Sequence, residues 1–202
     1  KEFEQYIQDL NLSPKLEKKY WIVYEKINQE GSPLTYNQRA NLLLGELRNL
    51  KKFYLENLDG NGLLDLENKK LCDSGATQLS SLEALSQAKS LILGDNEISD
   101  KGVAALCDSP YLSRLKTLNL KSNKITAEGA KLISLSKNWS NLDQLVLKFN
   151  EIGEEGAKHL AKSEVLSNIT TLDLFRNHIG SEGAKAIKSS PNLKKLSRVR
   201  LD

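Results

Sequence analysis

Thr117-Leu118-Asn119-Leu120-Lys121-Ser122-Asn123-Lys124-Ile125-Thr126-Ala127-Glu128-Gly129-Ala130-Lys131-Leu132-Ile133 holds two structural periods in one short stretch. As far as Lys121, apolar and polar residues alternate. That is the period of a strand, with Leu118 and Leu120 turned inward and Asn119 and Lys121 turned out. From Glu128 the composition becomes helical, and Ala130 and Ile133 share one face. Thr126 stands where a helix N-cap belongs, and Glu128 follows at the positive end of the helix dipole.

The same pattern returns along the chain. Gly75, Gly102, Gly129, Gly156 and Gly183 recur every 27 residues. In phase with them run Leu64, Leu91, Leu118, Leu145, Leu172 and Val199, and two residues on Leu66, Leu93, Leu120, Leu147, Leu174 and Leu201. Further columns read Leu71, Ile98, Ile125, Ile152, Ile179 and Leu58, Leu85, Leu112, Trp139, Leu166, Leu193. An Asn column holds Asn96, Asn123, Asn150 and Asn177. A fixed period of this size marks a solenoid of stacked units. Ser99 shares the N-cap column with Thr126, and Gly153 and Gly180 hold the same position, which Gly also tolerates. The periodic Gly falls in the first helical turn, where it weakens the helix, so close packing against the next unit is its expected reason. The Asn column is expected to be structural, each amide satisfying backbone groups where a strand ends.

Leu115-x-x-Leu118-x-Leu120-x-x-Asn123-x-Ile125, followed by Gly129-Ala130 and flanked by aligned copies, resembles the leucine-rich repeat. The 27-residue Gly-Ala unit is similar to the ribonuclease-inhibitor-like subclass. The resemblance implies an α/β solenoid with a concave parallel β-sheet and convex helices over residues 58–202, about five repeats plus a partial sixth strand. It is specific for fold and nearly silent on function, because one architecture hosts many activities. The first unit departs from the pattern, with Asn61 in a Leu position and Lys69 in the ladder position.

Residues 1–57 do not follow the period. Ser13-Pro14 starts a helix carrying Leu16, Tyr20, Val23 and Ile27. Gly31-Ser32-Pro33 breaks it, and Thr35 with Gln38 opens a second one lined by Leu43, Leu47, Leu50 and Tyr54. A helical cap over the first repeat is the expectation, since a solenoid end needs covering. A separate recruiting module is the alternative. At the other end, Val199 and Leu201 start a strand blunted by Arg198 and Arg200.

Hydrophobic residues make up 39% and charged residues 27%, the balance of an ordinary soluble protein. No apolar run approaches a membrane span, so no membrane role is expected. The two cysteines, Cys72 and Cys107, fall in different columns and outside any CxxC motif, which points to reduced thiols in a cytosol. A net charge of +3 is a mild excess and does not favour a nucleic-acid partner. The chain's two histidines, His159 and His178, stand in different repeats with no carboxylate at ligand spacing. Asp59-Gly60-Asn61-Gly62 reads as a turn, because Leu63 and Leu64 interrupt any calcium-loop series. No cofactor, metal or catalytic residue is expected, and no enzyme activity.

The sheet face remains. Outward columns gather acid at one end, at Asp65, Glu67 and Asp95, and base with aromatics at the other. The candidate partner-binding residues are Ile92, Lys121, Val146, Lys148, Phe149, Phe175 and Arg176. Aromatics and Arg are the types that anchor interfaces. The expected function is therefore protein–protein interaction on the concave face, with a partner of acidic surface. The composition and Gly-Ala repeat also fit a secreted bacterial effector or inhibitor working in a host cytosol. Two alternatives stand beside this: a GTPase-activating protein, whose family member acting on Ran has similar repeats, and the substrate-recognition arm of a ubiquitin ligase.

Overall fold

In this computed structural model the described residues are 58–202; the expected cap and its helices lie outside them. Each of the first four units runs strand, turn, helix, short 3-10 turn, and the fifth passes from helix to strand without one. The strands are β1 (Leu63–Asp65), β2 (Ser90–Ile92), β3 (Thr117–Asn119), β4 (Gln144–Val146), β5 (Thr171–Asp173) and β6 (Arg198–Arg200). The helices are α1 (Cys72–Ser80), α2 (Asp100–Asp108), α3 (Ala127–Leu135), α4 (Gly153–Ala161) and α5 (Gly180–Lys188). Among the described residues the six strands form one parallel sheet in chain order. The register steps by the repeat, Leu91 pairing with Leu118 and Leu118 with Leu145.

The apolar columns form the core between sheet and helices. Leu64, Leu91, Leu118 and Leu145 are fully buried, as are Leu66, Leu93, Leu120 and Leu147. The column of Leu85, Leu112, Trp139 and Leu166 sits on 3-10 turns rather than on helix. The stretch between helix and next strand is too short to show a helical period, so this element was not visible in the sequence. The unpaired indole N–H of Trp139 is buried there.

Where each strand ends, the Asn column closes the backbone. The Asn150 amide donates to the carbonyls of Leu120 (3.0 Å) and Leu147 (2.8 Å), and its oxygen accepts from the N–H of Ile125 (3.0 Å). Asn96 accepts from Lys69 and Leu71 and donates to Leu66 and Gly94. Asn123 and Asn177 bridge their neighbours in the same way. Beyond Asn177 the carboxylate of Asp202 takes over, accepting from the N–H groups of Asn177 (3.1 Å) and Ile179 (3.0 Å).

Entry into the helices uses two chemistries. Ser99 and Thr126 adopt extended cap geometry, each accepting from the N–H two residues on. Each is also clamped by the preceding unit. Asp73 accepts from the N–H and hydroxyl of Ser99, both at 2.7 Å, and from the N–H of Gly102. Asp100 likewise holds the N–H (2.8 Å) and hydroxyl (2.6 Å) of Thr126. Where the preceding unit offers Ala127, no such clamp can form. Gly153 then does not act as an extended cap. Its φ is +64°, and its N–H donates to the carbonyl of Asn177 at 2.9 Å. Gly180 takes φ +63°. The left-handed conformation is the physical reason for Gly in that column. The in-phase Gly has a different one. A Cβ on Gly129 would collide with the Asp100 carboxylate of the previous unit and with Ile125 of its own.

Two outcomes follow for the closure of the backbone. Asn150→Ala strands a buried N–H and two carbonyls, so unfolding stability should fall by about 1–3 kcal/mol. Denaturant titration should show a lower midpoint with an unchanged slope; an unmoved midpoint would remove the ladder's structural role. Asp202 is a pH prediction. Burial acts to raise its pKa, but the N–H groups of Ile179, Asn177, Arg176 and His178 outweigh burial and hold it below 3.8. A depressed folded pKa gives stability that is present above the unfolded value and lost as pH falls through the folded one. Between about pH 5 and pH 2, Asp202→Asn should therefore flatten the decline in stability seen in the parent chain.

Candidate functional site

The outward face of the sheet divides into two halves of different electrostatics. In the first, Lys121 lies back across unit 2, its ammonium 2.7 Å from Glu67 and 3.7 Å from Asp95. Gly94 makes this possible, because a side chain there would meet the Lys121 stem at 2.8 Å. The hydrogen bond to Glu67 is the largest cause of a raised Lys121 pKa. Lys121 thus neutralises the acidic end and does not join the aromatic residues. Ile92, on β2, also belongs to this half.

The second half gathers Phe149, Phe175 and Arg176. The two rings meet edge to face, 6.0 Å apart at 80°. The Arg176 guanidinium sits over both, 5.4 Å from the Phe149 centroid and 5.6 Å from that of Phe175. Lys148 lies over Phe149 at 5.8 Å. Arg200, read from sequence as an edge charge, stacks over Phe175 at 4.3 Å. It was missed because one strand of separation hid that its column neighbours Phe175 diagonally. Val146, half-buried on β4, precedes Lys148 by two residues on the same outward side. Beside the rings opens a recess of about 990 Å³, lined by Phe149, Phe175 and Arg176 together with Glu151, His178 and Asp202.

Ion pairs are the exception among the described lysines. Lys121, Lys124, Lys131 and Lys158 each hold a carboxylate within 4.0 Å. Among the described residues, Lys148, Arg176 and Arg200 hold none; they are instead directed over the two rings.

Backbone geometry adds to the contrast. Asn68, Asp95, Ser122, Phe149 and Arg176 form one column, and every member has positive φ, from 51° to 58°. Asn and Asp tolerate that conformation, whereas for a bulky residue it costs roughly 1 kcal/mol. The edge-to-face pair returns about 0.5–1.5 kcal/mol and each exposed cation–π contact about 0.5–1 kcal/mol. With two such contacts on Phe149, from Lys148 and Arg176, the pairings return about 1.5–3.5 kcal/mol and outweigh the backbone cost. Phe149 is also 39% exposed.

The Leucine Rich repeat family matches residues 89–107, 112–134, 140–161 and 165–188. With the parallel sheet, the Asn ladder and the 27-residue register, this makes the chain a leucine-rich repeat protein, an architecture commonly used for protein–protein interaction. Among solved structures, an internalin from Listeria monocytogenes is 36% identical over 60% of this chain, with a TM-score of 0.45. The match spans 30% of the internalin's own length. Actin-binding site 2 of leiomodin-1 is similar at 17% identity and TM-score 0.53, over 73% of this chain and 89% of that one. The Mex67:Mtr2 subunits of Chaetomium give 17% identity and TM-score 0.49, over 71% of this chain and 99% of that one. At 17% identity, the leiomodin-1 likeness concerns the fold alone. Comparison with curated proteins returned no match.

Phe149→Asn and Phe149→Ala remove the same ring but differ in their tolerance of positive φ. The Asn variant should be the more stable by about 1 kcal/mol. Equal unfolding midpoints for the two would show that the left-handed position costs Phe149 nothing.

Proposed function

We propose that the chain is a non-catalytic binding module whose protein partner docks on the sheet face of units 4 and 5, presenting an apolar spot within an acidic surface. The observation that supports this most is the arrangement of three cations, Lys148, Arg176 and Arg200, around two accessible rings. Cations held over ring faces are ordered without being neutralised, so their charge stays available to a partner that supplies the counter-charge. Rigid aromatic area framed by Arg is the composition of an interface anchor. Residues 1–57 are proposed to cap the first unit. The proposed compartment is a reducing one, the cytosol, or a host's cytosol if the chain is a secreted effector. Two free thiols support it. Burial, the largest cause, pushes the Cys107 thiol up to about 12, which leaves it inert.

The test is co-purification of a partner followed by titration with variants. Phe175→Ala should weaken binding by about 2 kcal/mol or more while circular dichroism stays unchanged. Lys148→Glu should slow association and reduce its salt dependence. On the helix side, Lys131→Glu and Lys158→Glu serve as controls. If those two abolish binding and Phe175→Ala does not, the partner uses the helices and this reading is wrong.

A further inference from the structure

The turn that enters the first unit carries a chemistry the sheet face does not use. Asp59-Gly60-Asn61-Gly62 leads into β1. Its third residue stands in a column that is otherwise core. Ala88, Leu115, Leu142 and Ile169 are buried there, whereas Asn61 is exposed. Of the chain's asparagines, Asn61 alone precedes a Gly. That pair is the most open to imide formation, because Gly has no side chain to shield the attacking backbone nitrogen. Here the fold itself demands the Gly. Gly62 has φ +85°, and a Cβ on it would meet the Gln87 carbonyl oxygen at 2.8 Å. Its own carbonyl is held by the N–H groups of Lys89 (2.8 Å) and Ser90 (3.0 Å) in the next unit.

Asp59 closes this turn with both backbone and side chain. Its carbonyl accepts from the Gly62 N–H at 3.1 Å. Its carboxylate accepts from the N–H groups of Asn61 (2.9 Å) and Leu63 (2.7 Å), and from the Asn61 amide at 3.5 Å. The bond from Gly62 occupies the nitrogen that would attack. The bond from the Asn61 amide holds the group it would attack. Both must break before the imide can form.

We propose that Asn61 is a deamidation site gated by Asp59. When the turn opens, the Gly62 nitrogen bonds to Cγ of Asn61. The Cγ–Nδ2 bond breaks, and ammonia leaves with the proton that Gly62 gives up. Water, the only co-reactant, then opens the imide on either side of its nitrogen and leaves aspartate or isoaspartate. While Asp59 keeps the turn closed, the reaction waits. Either product then works against closure. Aspartate removes the amide donor and sets a second carboxylate beside that of Asp59, where like charges repel. Isoaspartate lengthens the backbone by a methylene just ahead of β1.

The experiment is incubation of the full chain in mildly alkaline buffer, with conversion at Asn61 followed over time by mass spectrometry of a digest. A synthetic peptide of residues 58–64 is incubated alongside. The folded chain should convert at least about fivefold more slowly than the peptide. Asp59→Ala removes the bonds of the carboxylate and should speed conversion by a factor of about 5–30. Asp59→Ser keeps an acceptor oxygen and should fall between the two. Asn61→Asp, which mimics one product, should lower the unfolding midpoint, and Asn61→Gln should leave it in place. A chain that converts as fast as the peptide overturns the gate, and so does an Asp59→Ala variant no faster than the parent. If Asp59→Ala does not fold, Asp59→Ser carries that comparison. A peptide that reacts while neither the parent chain nor the Asp59 variants convert overturns the site itself.

Discussion

A parallel strand that turns after three residues leaves amide groups pointing inward, where no water can meet them. Every other feature of the solenoid depends on how those groups are paired. One Asn per unit does most of it, donating to two or three carbonyls and accepting from N–H groups of the unit before. The amide suits the task because it is both donor and acceptor. Asp202 can substitute only in the accepting direction, and it does so as an anion whose charge is stabilised by those same N–H groups.

How much could be read from the residues alone follows from which constraints are local. The apolar columns, the Asn ladder and the hydroxyl caps Ser99 and Thr126 are each dictated within one unit, and repetition made them visible. Lys121 shows where reading failed. Its outward position was correct, but its pairing with Glu67 depends on a partner 54 residues away and on the missing side chain of Gly94 between them. Arg200 was invisible as a ring partner for a similar reason. Gly153 was placed in the right column and given the wrong role, because conformational sign is not encoded in spacing.

The two halves of the sheet face differ in how their charges are resolved. In units 1 to 3, the Lys121 ammonium is satisfied internally by two carboxylates. In units 4 to 6, cations lie over rings. A ring face attracts a cation without neutralising it, so the field of Lys148, Arg176 and Arg200 still reaches outward. Side chains that could have been held flat by a salt bridge are held by aromatic faces instead. That keeps them ordered and leaves their charge available.

The joints between units use two devices, a carboxylate clamp onto Ser99 and Thr126, and left-handed Gly where Ala127 meets Gly153 and Glu154 meets Gly180. At the clamped joints Asp holds a hydroxyl of the next unit, as with Asp73 and Ser99 or Asp100 and Thr126. Ala127 faces Gly153 across the next joint. The units are therefore not interchangeable bricks when genes recombine. Removing residues 124–150 would set Asp100 against Gly153, a carboxylate with no hydroxyl to hold. Removing 101–127 instead keeps Asp100 in place but again presents it to Gly153. A crossover just before Asp100 that removes 100–126 keeps both devices intact, with Ser99 still facing Asp73 and Ala127 still facing Gly153. Growth and shrinkage of such an array by unequal crossing-over thus preserves the clamps only at particular phases of the repeat, although the leucine pattern would be restored by all of them.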